Sequence, residues 1–371
     1  MAATMPGTGG GGPRPVGAGN EEIGQQWLRQ AETLRATLQA AKAPGGLSPK
    51  EVVWRKNKAR LYRYTASAPR THRVPILIVY ALINRPYILD LAPGNSLIEF
   101  LVGQGFDVFL LDWGIPGPED RTLRLDDYVF DYIPKAARKV RTISGVDEFT
   151  VLGYCIGGTL ATLYAATHPD DPLRNLVLLT TPIEFSEVGL LHGWTNAGGF
   201  DVDKLVDTYG NMPGELIDLG TKLLRPMGNV SNYTKLWEKA LDDRYVRGWQ
   251  AMSRWVNDAI PFPGEAFRQW IKDFYQGNKL IKGTLTMGGG RVDLAKIRAS
   301  LLVVAAEKDH IAPLPSCSPL LEKVASADKE FIALPGGHVS IVVGRNAVKG
   351  LWPRLAAWLS ERSDEGRGAI G

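Results

Sequence analysis

Two cysteines among 371 residues leave nothing to build a disulfide framework from, and that scarcity fits a reducing cytoplasm. No stretch reaches the roughly eighteen apolar residues of a membrane span, and the first residues lack the basic-then-apolar pattern of a secretory signal. An excess of one charge sign is also missing: 43 Lys and Arg against 39 Asp and Glu leave +4, spread along the chain. Nucleic-acid binding is therefore not indicated, and what is left is a mild attraction to anionic substrates or surfaces. No internal repeat is present. The remaining composition, 44% hydrophobic and 22% charged, is that of an ordinary globular protein. It suffices for one large core with an insertion, or for two domains. A soluble, cytoplasmic protein is expected.

The most informative stretch is Thr150-Val151-Leu152-Gly153-Tyr154-Cys155-Ile156-Gly157-Gly158. An apolar strand runs into a glycine-bracketed turn and then a helix. This is the G-x-S-x-G nucleophile elbow with Cys155 in the serine position. The elbow strains its central backbone, so small residues are needed two positions before and after it, and Gly153 and Gly157 meet that need. The helix that follows turns its free N–H groups and positive dipole end toward the sulfur, which favours a thiolate. A small buried cysteine beside a tight turn is the competing reading.

Around the elbow, apolar runs and helical patterns alternate. Val74–Tyr80 and Phe106–Trp113 read as strands buried on both faces. Helices are expected over Ser96–Gln104, Leu125–Ser144 and Gly157–His168, and strands over Leu176–Leu179, Leu301–Ala306 and Glu330–Leu334. Such alternation implies an α/β fold with a doubly wound, mostly parallel sheet. Its parts are expected as follows. A Gly- and Pro-rich disordered leader covers 1–20 and an N-terminal helical segment 21–64. The sheet core takes 65–182 and 301–362, an inserted, mainly helical cap 183–300, and a flexible tail 363–371. Within the helical segment, Glu21–Lys42 shows an apolar stripe that either docks on the chain's own core or faces a partner. Ser48 begins a second helical pattern, and only Arg60–Tyr64 alternates like a strand. The cap is rich in Trp (Trp194, Trp237, Trp249, Trp255, Trp270), as core or as the lining of an apolar tunnel.

Two further residues give the elbow its partners. Asp309 follows the strand Leu301–Ala306, and His338 follows Glu330–Leu334 behind Pro335-Gly336-Gly337. Nucleophile, acid, histidine is the α/β-hydrolase chain order, and all three groups then converge outside the carboxyl ends of the strands. His338 would take the Cys155 proton and Asp309 would orient His338. Asp112 is a rival acid that chain order disfavours. His310 reads as structural and Cys317 as inert, while His72, His168 and His192 lack partner motifs. The backbone N–H of Ile156 should serve the oxyanion, with Leu82, in the loop after Tyr80, as the second donor.

Several stretches resemble polyhydroxyalkanoate synthases: Gly-Tyr-Cys-Ile-Gly-Gly-Thr at 153–159, Leu-Ile-Asn-Arg-Pro-Tyr-Ile-Leu-Asp-Leu at 82–91, Phe-Asp-Val-Phe-Leu-Leu-Asp-Trp-Gly at 106–114, Glu-Lys-Asp-His at 307–310 and Pro-Gly-Gly-His at 335–338. The segment Glu265–Tyr275 is similar to that family's cap, and the likeness covers Ser48–Glu361. The short length and Leu-Asp-Asp-Tyr at 125–128 resemble the small catalytic subunits of the two-subunit synthases, classes III and IV alike. The resemblance implies a cysteine acyltransferase that joins (R)-3-hydroxyacyl-CoA units, 3-hydroxybutyryl-CoA by preference, into polyester with release of CoA. It implies no cofactor and no metal, a second synthase subunit, a homodimer or hetero-oligomer, and attachment to polyester granules in the cytoplasm. A thioesterase or intracellular polyester depolymerase on the same fold is the alternative, and a non-catalytic granule-surface scaffold is the third class.

Overall fold

The computed structural model describes residues 25–33, 35, 45–196, 198–224 and 228–364. The expected leader and most of the Glu21–Lys42 helix lie outside the described residues, of which 25–33 are helical. The chain divides into two compact units, one of Met1–Ala43 and Met227–Gln250, the other of Pro44–Pro226 and Ala251–Gly371.

The larger unit is organised by one eight-stranded sheet. Its strands are β1 (Lys50–Lys56), β2 (Ala59–Tyr64), β3 (Ile76–Val79), β4 (Val108–Asp112), β5 (Phe149–Tyr154), β6 (Leu173–Leu179), β7 (Ser300–Ala306) and β8 (Lys329–Leu334). They lie in the order β1-β2-β4-β3-β5-β6-β7-β8. All pairings from β4 to β8 are parallel, whereas β2 runs antiparallel to β1 and β4. Every residue of β3, β4 and β5 is buried, as continuous apolar runs between two helical layers require. The connecting helices are α1 (Leu97–Gly103), α2 (Ile133–Ser144) and α3 (Ile156–Thr167). Ser96 starts α1 by accepting the Glu99 N–H at 2.9 Å, one of the donors a helix start leaves free.

The stretch after Ser48 corrects an expectation. It is no helix: β1 and β2 form a hairpin through Asn57 and Lys58, and Asn57 takes the positive φ (49°) that asparagine tolerates in a tight turn. Val52 and Trp54 carry successive pairings with a bulge at Val53 between them, which breaks the period of two and disguises the strand. The core therefore begins before residue 65.

Between β6 and β7 the chain is mainly helical: α4 (Leu190–Thr195), α5 (Val202–Tyr209), α6 (Gly214–Leu223), α7 (Gly228–Glu238), α8 (Asp243–Val256) and α9 (Gly264–Gln269), with a π-helical turn at Trp270–Gln276. Trp255 and Trp270 are buried, while Trp194 is 36% exposed. Phe185 meets Trp270, Phe274 and Tyr275 edge-on, and Trp270 and Phe274 are tilted against each other, in one aromatic cluster. In the smaller unit the Trp27 and Trp237 rings meet at 5.1 Å, and Tyr233 meets Trp249 at 5.6 Å.

The last helix, α10 (Trp352–Asp364), includes Ser363, whose buried hydroxyl accepts the Val74 N–H at 2.9 Å. Ser363 is thus part of the core and not of a flexible tail; residues 365–371 lie outside the described residues. No helix among the described residues is long and apolar enough to cross a membrane.

Candidate active site

The sharpest backbone feature of the sheet is its central strand end. β5 stops at Tyr154 and α3 starts at Ile156, and Cys155 between them has φ 55° and ψ −127°. A cysteine at positive φ carries strain, about 1–3 kcal/mol for such a residue, that the surroundings must hold in place. They do so tightly. The Cys155 N–H donates to the Leu179 carbonyl of β6 at 3.0 Å. Added to Gly153, a β-carbon would lie 2.8 Å from the Gly158 nitrogen; added to Gly157, it would lie 2.5 Å from the Tyr80 carbonyl. Only glycine fits at either position, as the elbow pattern demands. The neighbouring strand end is strained too: Thr180, just past β6, has φ 44°, rare for a β-branched residue.

Asp309 and His338 reach the same end of the sheet from β7 and β8. Asp309 is 5% exposed. Its Oδ1 accepts the N–H groups of Ile311 (2.8 Å) and Ala312 (3.0 Å), which fixes the carboxylate, and its Oδ2 lies 2.8 Å from His338 Nδ1. With Nδ1–H donated to Asp309, Nε2 is the nitrogen left for Cys155. Burial on its own would lower the His338 pKa. The Asp309 carboxylate, then the charge on Cys155, then hydrogen bonds to both, outweigh it and hold the imidazole well above the ordinary histidine value.

The structure thus brings Cys155, His338 and Asp309 together, and it separates the rivals. Asp112 is occupied elsewhere, accepting the Gly114 N–H at 2.9 Å and facing Arg85 at 3.7 Å. His310 is exposed. Cys317 is buried, its Sγ–H donates to the Ala312 carbonyl, and burial pushes its thiol well up. His72 stacks on Phe106, and His168 and His192 are engaged within their own helical turns.

Leu82 is buried in the loop that follows β3, and this loop passes against Gly157 of the elbow at Tyr80. Ile156 opens α3, where first-turn N–H groups have no partner within the helix.

Three tyrosines missed by the sequence reading complete the surroundings. Tyr154 stacks on Tyr80 at 5.5 Å, and its ring lies 5.4 Å from that of His338. The third, Tyr275, belongs to the π-helical turn. Burial first, and the nearby Cys155 charge as a further cause, holds the phenols of Tyr80, Tyr154 and Tyr275 well above their ordinary value. Only the place of Tyr154 next to the elbow cysteine hinted at such a role. Cys155 itself is 4% exposed.

Comparison with known proteins adds the following. Residues 74–344 match the family described as alpha/beta hydrolase fold, and residues 32–101 match the poly-beta-hydroxybutyrate polymerase (PhaC) N-terminus, which starts before Ser48. The chain is 38% identical over 356 residues to the poly(3-hydroxyalkanoate) polymerase subunit PhaC of Allochromatium vinosum, covering 94% of this chain and 99% of that one. It is likewise 38% identical over 351 residues to the subunit of that name from Haloferax mediterranei, covering 92% and 71%. Among solved structures, a soluble variant of monoglyceride lipase from Saccharomyces cerevisiae superposes with a TM-score of 0.55 at 14% identity, over 87% of this chain and 99% of that one. A putative lipase from Sulfolobus solfataricus gives 0.53 at 14%, over 84% and 99%. At that identity the likeness to the lipases is one of fold.

Proposed function

The chain belongs to the poly(3-hydroxyalkanoate) polymerase PhaC family, a family of acyltransferases, and from that membership we propose that it joins (R)-3-hydroxyacyl-CoA units, 3-hydroxybutyryl-CoA first among them, into polyester with release of CoA. The observation that carries the reading is a cysteine, not a serine, on a strained elbow in reach of a raised-pKa histidine held by a buried carboxylate. A thiolate exchanges acyl groups with thioesters at little cost, because attacking and leaving sulfur are close in energy, so the acyl group passes on and off readily.

In the reaction proposed, the Cys155 sulfur attacks the thioester carbonyl while His338 holds the thiol proton. The tetrahedral oxyanion is stabilised by the N–H of Ile156 and that of Leu82. The intermediate collapses, the C–S bond to CoA breaks, and the CoA sulfur leaves with the proton from His338. The hydroxyl of a second hydroxyacyl unit then loses its proton to His338, and its oxygen attacks the acyl-cysteine. A new ester bond forms, the C–S bond to Cys155 breaks, and the sulfur takes the proton back from His338. Asp309 keeps His338 in the required orientation and charge state. Water would compete with the hydroxyl, so the segment 183–300 is read as a cap that excludes it, with Trp255 and Trp270 among its buried residues. The relatives are named as subunits, which supports a second synthase subunit as partner; the polyester granule is the expected place of work.

The test is CoA release from 3-hydroxybutyryl-CoA measured together with the product. CoA with insoluble polyester is the expected result. CoA with only free 3-hydroxybutyrate would replace this reading with a thioesterase.

A further inference from the structure

The loop after β3 carries the second oxyanion donor in the reading above, yet the sheet alone does not hold it. A strap from the far end of α8, residues Trp255 to Ile260, does. The Trp255 Nε1–H donates to the Arg85 carbonyl at 2.8 Å. Ile260 N–H donates to the Ile83 carbonyl at 3.1 Å, and Asn84 and Ala259 pair as an antiparallel bridge. One residue on, the Tyr87 hydroxyl donates to Asp258 Oδ2 at 3.0 Å, and the Arg254 guanidinium lies 5.6 Å from the Tyr87 ring. Burial, then the Asp258 carboxylate, raises the Tyr87 phenol, so it remains a donor at any pH near neutral. The strap also reaches the elbow through aromatic rings: the Tyr80 hydroxyl donates to Asn84 Oδ1 at 2.9 Å, and Tyr80 stacks on Tyr154 beside Cys155. Segments about 170 positions apart are thus joined by five contacts over five residues on one side and seven on the other.

We propose that Trp255 and Asp258 are positioning residues that set the backbone of residues 82–87 against the elbow, so that the oxyanion site exists only while this part of the insert is docked. The inference rests on the assignment of Cys155 as nucleophile and of the loop after β3 as oxyanion donor. It makes the insert part of the catalytic geometry and not only a shield against water. A shift of an ångström in that loop would remove the donor's benefit, since such donors act only at short range.

The test compares the full-length wild-type chain with Trp255→Phe, Tyr87→Phe, Asp258→Asn and the Tyr87→Phe/Asp258→Asn pair. Two reactions at Cys155 are followed. Acylation by p-nitrophenyl butyrate, read as the nitrophenolate burst, builds an oxyanion. Alkylation by iodoacetamide, read from the mass of the Cys155 peptide, builds none. Trp255→Phe should slow the burst about tenfold or more while alkylation stays within about twofold. The Tyr87→Phe/Asp258→Asn pair should be no slower than the worse single change, because both remove one hydrogen bond. The pair keeps the test alive if Trp255→Phe does not fold. An unchanged burst, or burst and alkylation falling together, overturns the proposal. A wild-type burst without CoA release from 3-hydroxybutyryl-CoA would overturn the substrate reading alone, and no wild-type burst would overturn the nucleophile and the strap with it.

Discussion

The two sides of Cys155 are built differently. On one side, Asp309 and His338 stand a few residues past β7 and β8, and the sheet register brings them together with only local help from Ile311 and Ala312. On the other, the loop after β3 is shaped by residues 255–260 of the insert. The half that holds Asp309 and His338 is a property of the sheet. The half formed by the loop after β3 is a property of the sheet and the insert together.

That contrast is sharpened by changes whose effects should differ in kind. The largest effect is expected from Cys155→Ser, which nearly keeps size and burial and removes the sulfur. Turnover should fall at least about a thousandfold. The melting temperature should stay within a few degrees. Near-normal CoA release by this variant would break the nucleophile assignment.

Next comes Asp309→Asn. The amide leaves the packing intact but loses the charge that supports the imidazolium, so kcat should fall about a hundredfold or more with the burst and the alkylation of Cys155 slowed together. A loss confined to the burst would place Asp309 on the wrong side of the comparison.

Gly157→Ala strikes the opposite side. Its new β-carbon meets the Val79 and Tyr80 carbonyls, which are backbone and cannot rotate away. A destabilisation of about 1–3 kcal/mol in urea is expected. The burst should fall more than stability explains, because the loop after β3 is pushed from the elbow. Wild-type stability would mean that β3 and the elbow do not pack as described.

The smallest effect is a titration shift. His338 is held well above the ordinary histidine value of about 6.5, and Cys155 is one of the causes. Cys155→Ser removes that charge, so the imidazole signal of His338 in 15N-labelled protein should titrate at lower pH than in the wild type. Because the folded value is raised, the stability His338 contributes is fully present below about pH 6.5 and lost as pH rises through the folded value. In Cys155→Ser the loss should still begin near about pH 6.5 but be smaller and complete at lower pH. An unmoved signal would separate Cys155 from His338.

The same division decides what could be read from the chain alone. Asp309 and His338 were legible because each follows a strongly apolar strand in the known chain order, and Cys155 because glycines must bracket an elbow. The parallel sheet was legible from runs such as Ile76–Val79, which only a strand buried on both faces explains. Trp255 and Asp258 carried no local signal: their partners, Arg85 and Tyr87, lie far away in sequence, and a tryptophan in a helical insert reads as core. The β1 strand was misread because the bulge at Val53 shifts its alternation by one residue.

That hairpin also closes one edge of the sheet. A parallel sheet ending in bare strands would offer backbone donors and acceptors to any neighbouring strand. Here one border is β1, which carries Lys50, Glu51, Arg55 and Lys56 within seven residues, and the other is β8, which opens with Lys329 and Glu330. Both margins are fenced with charge, so strand addition is disfavoured at either edge.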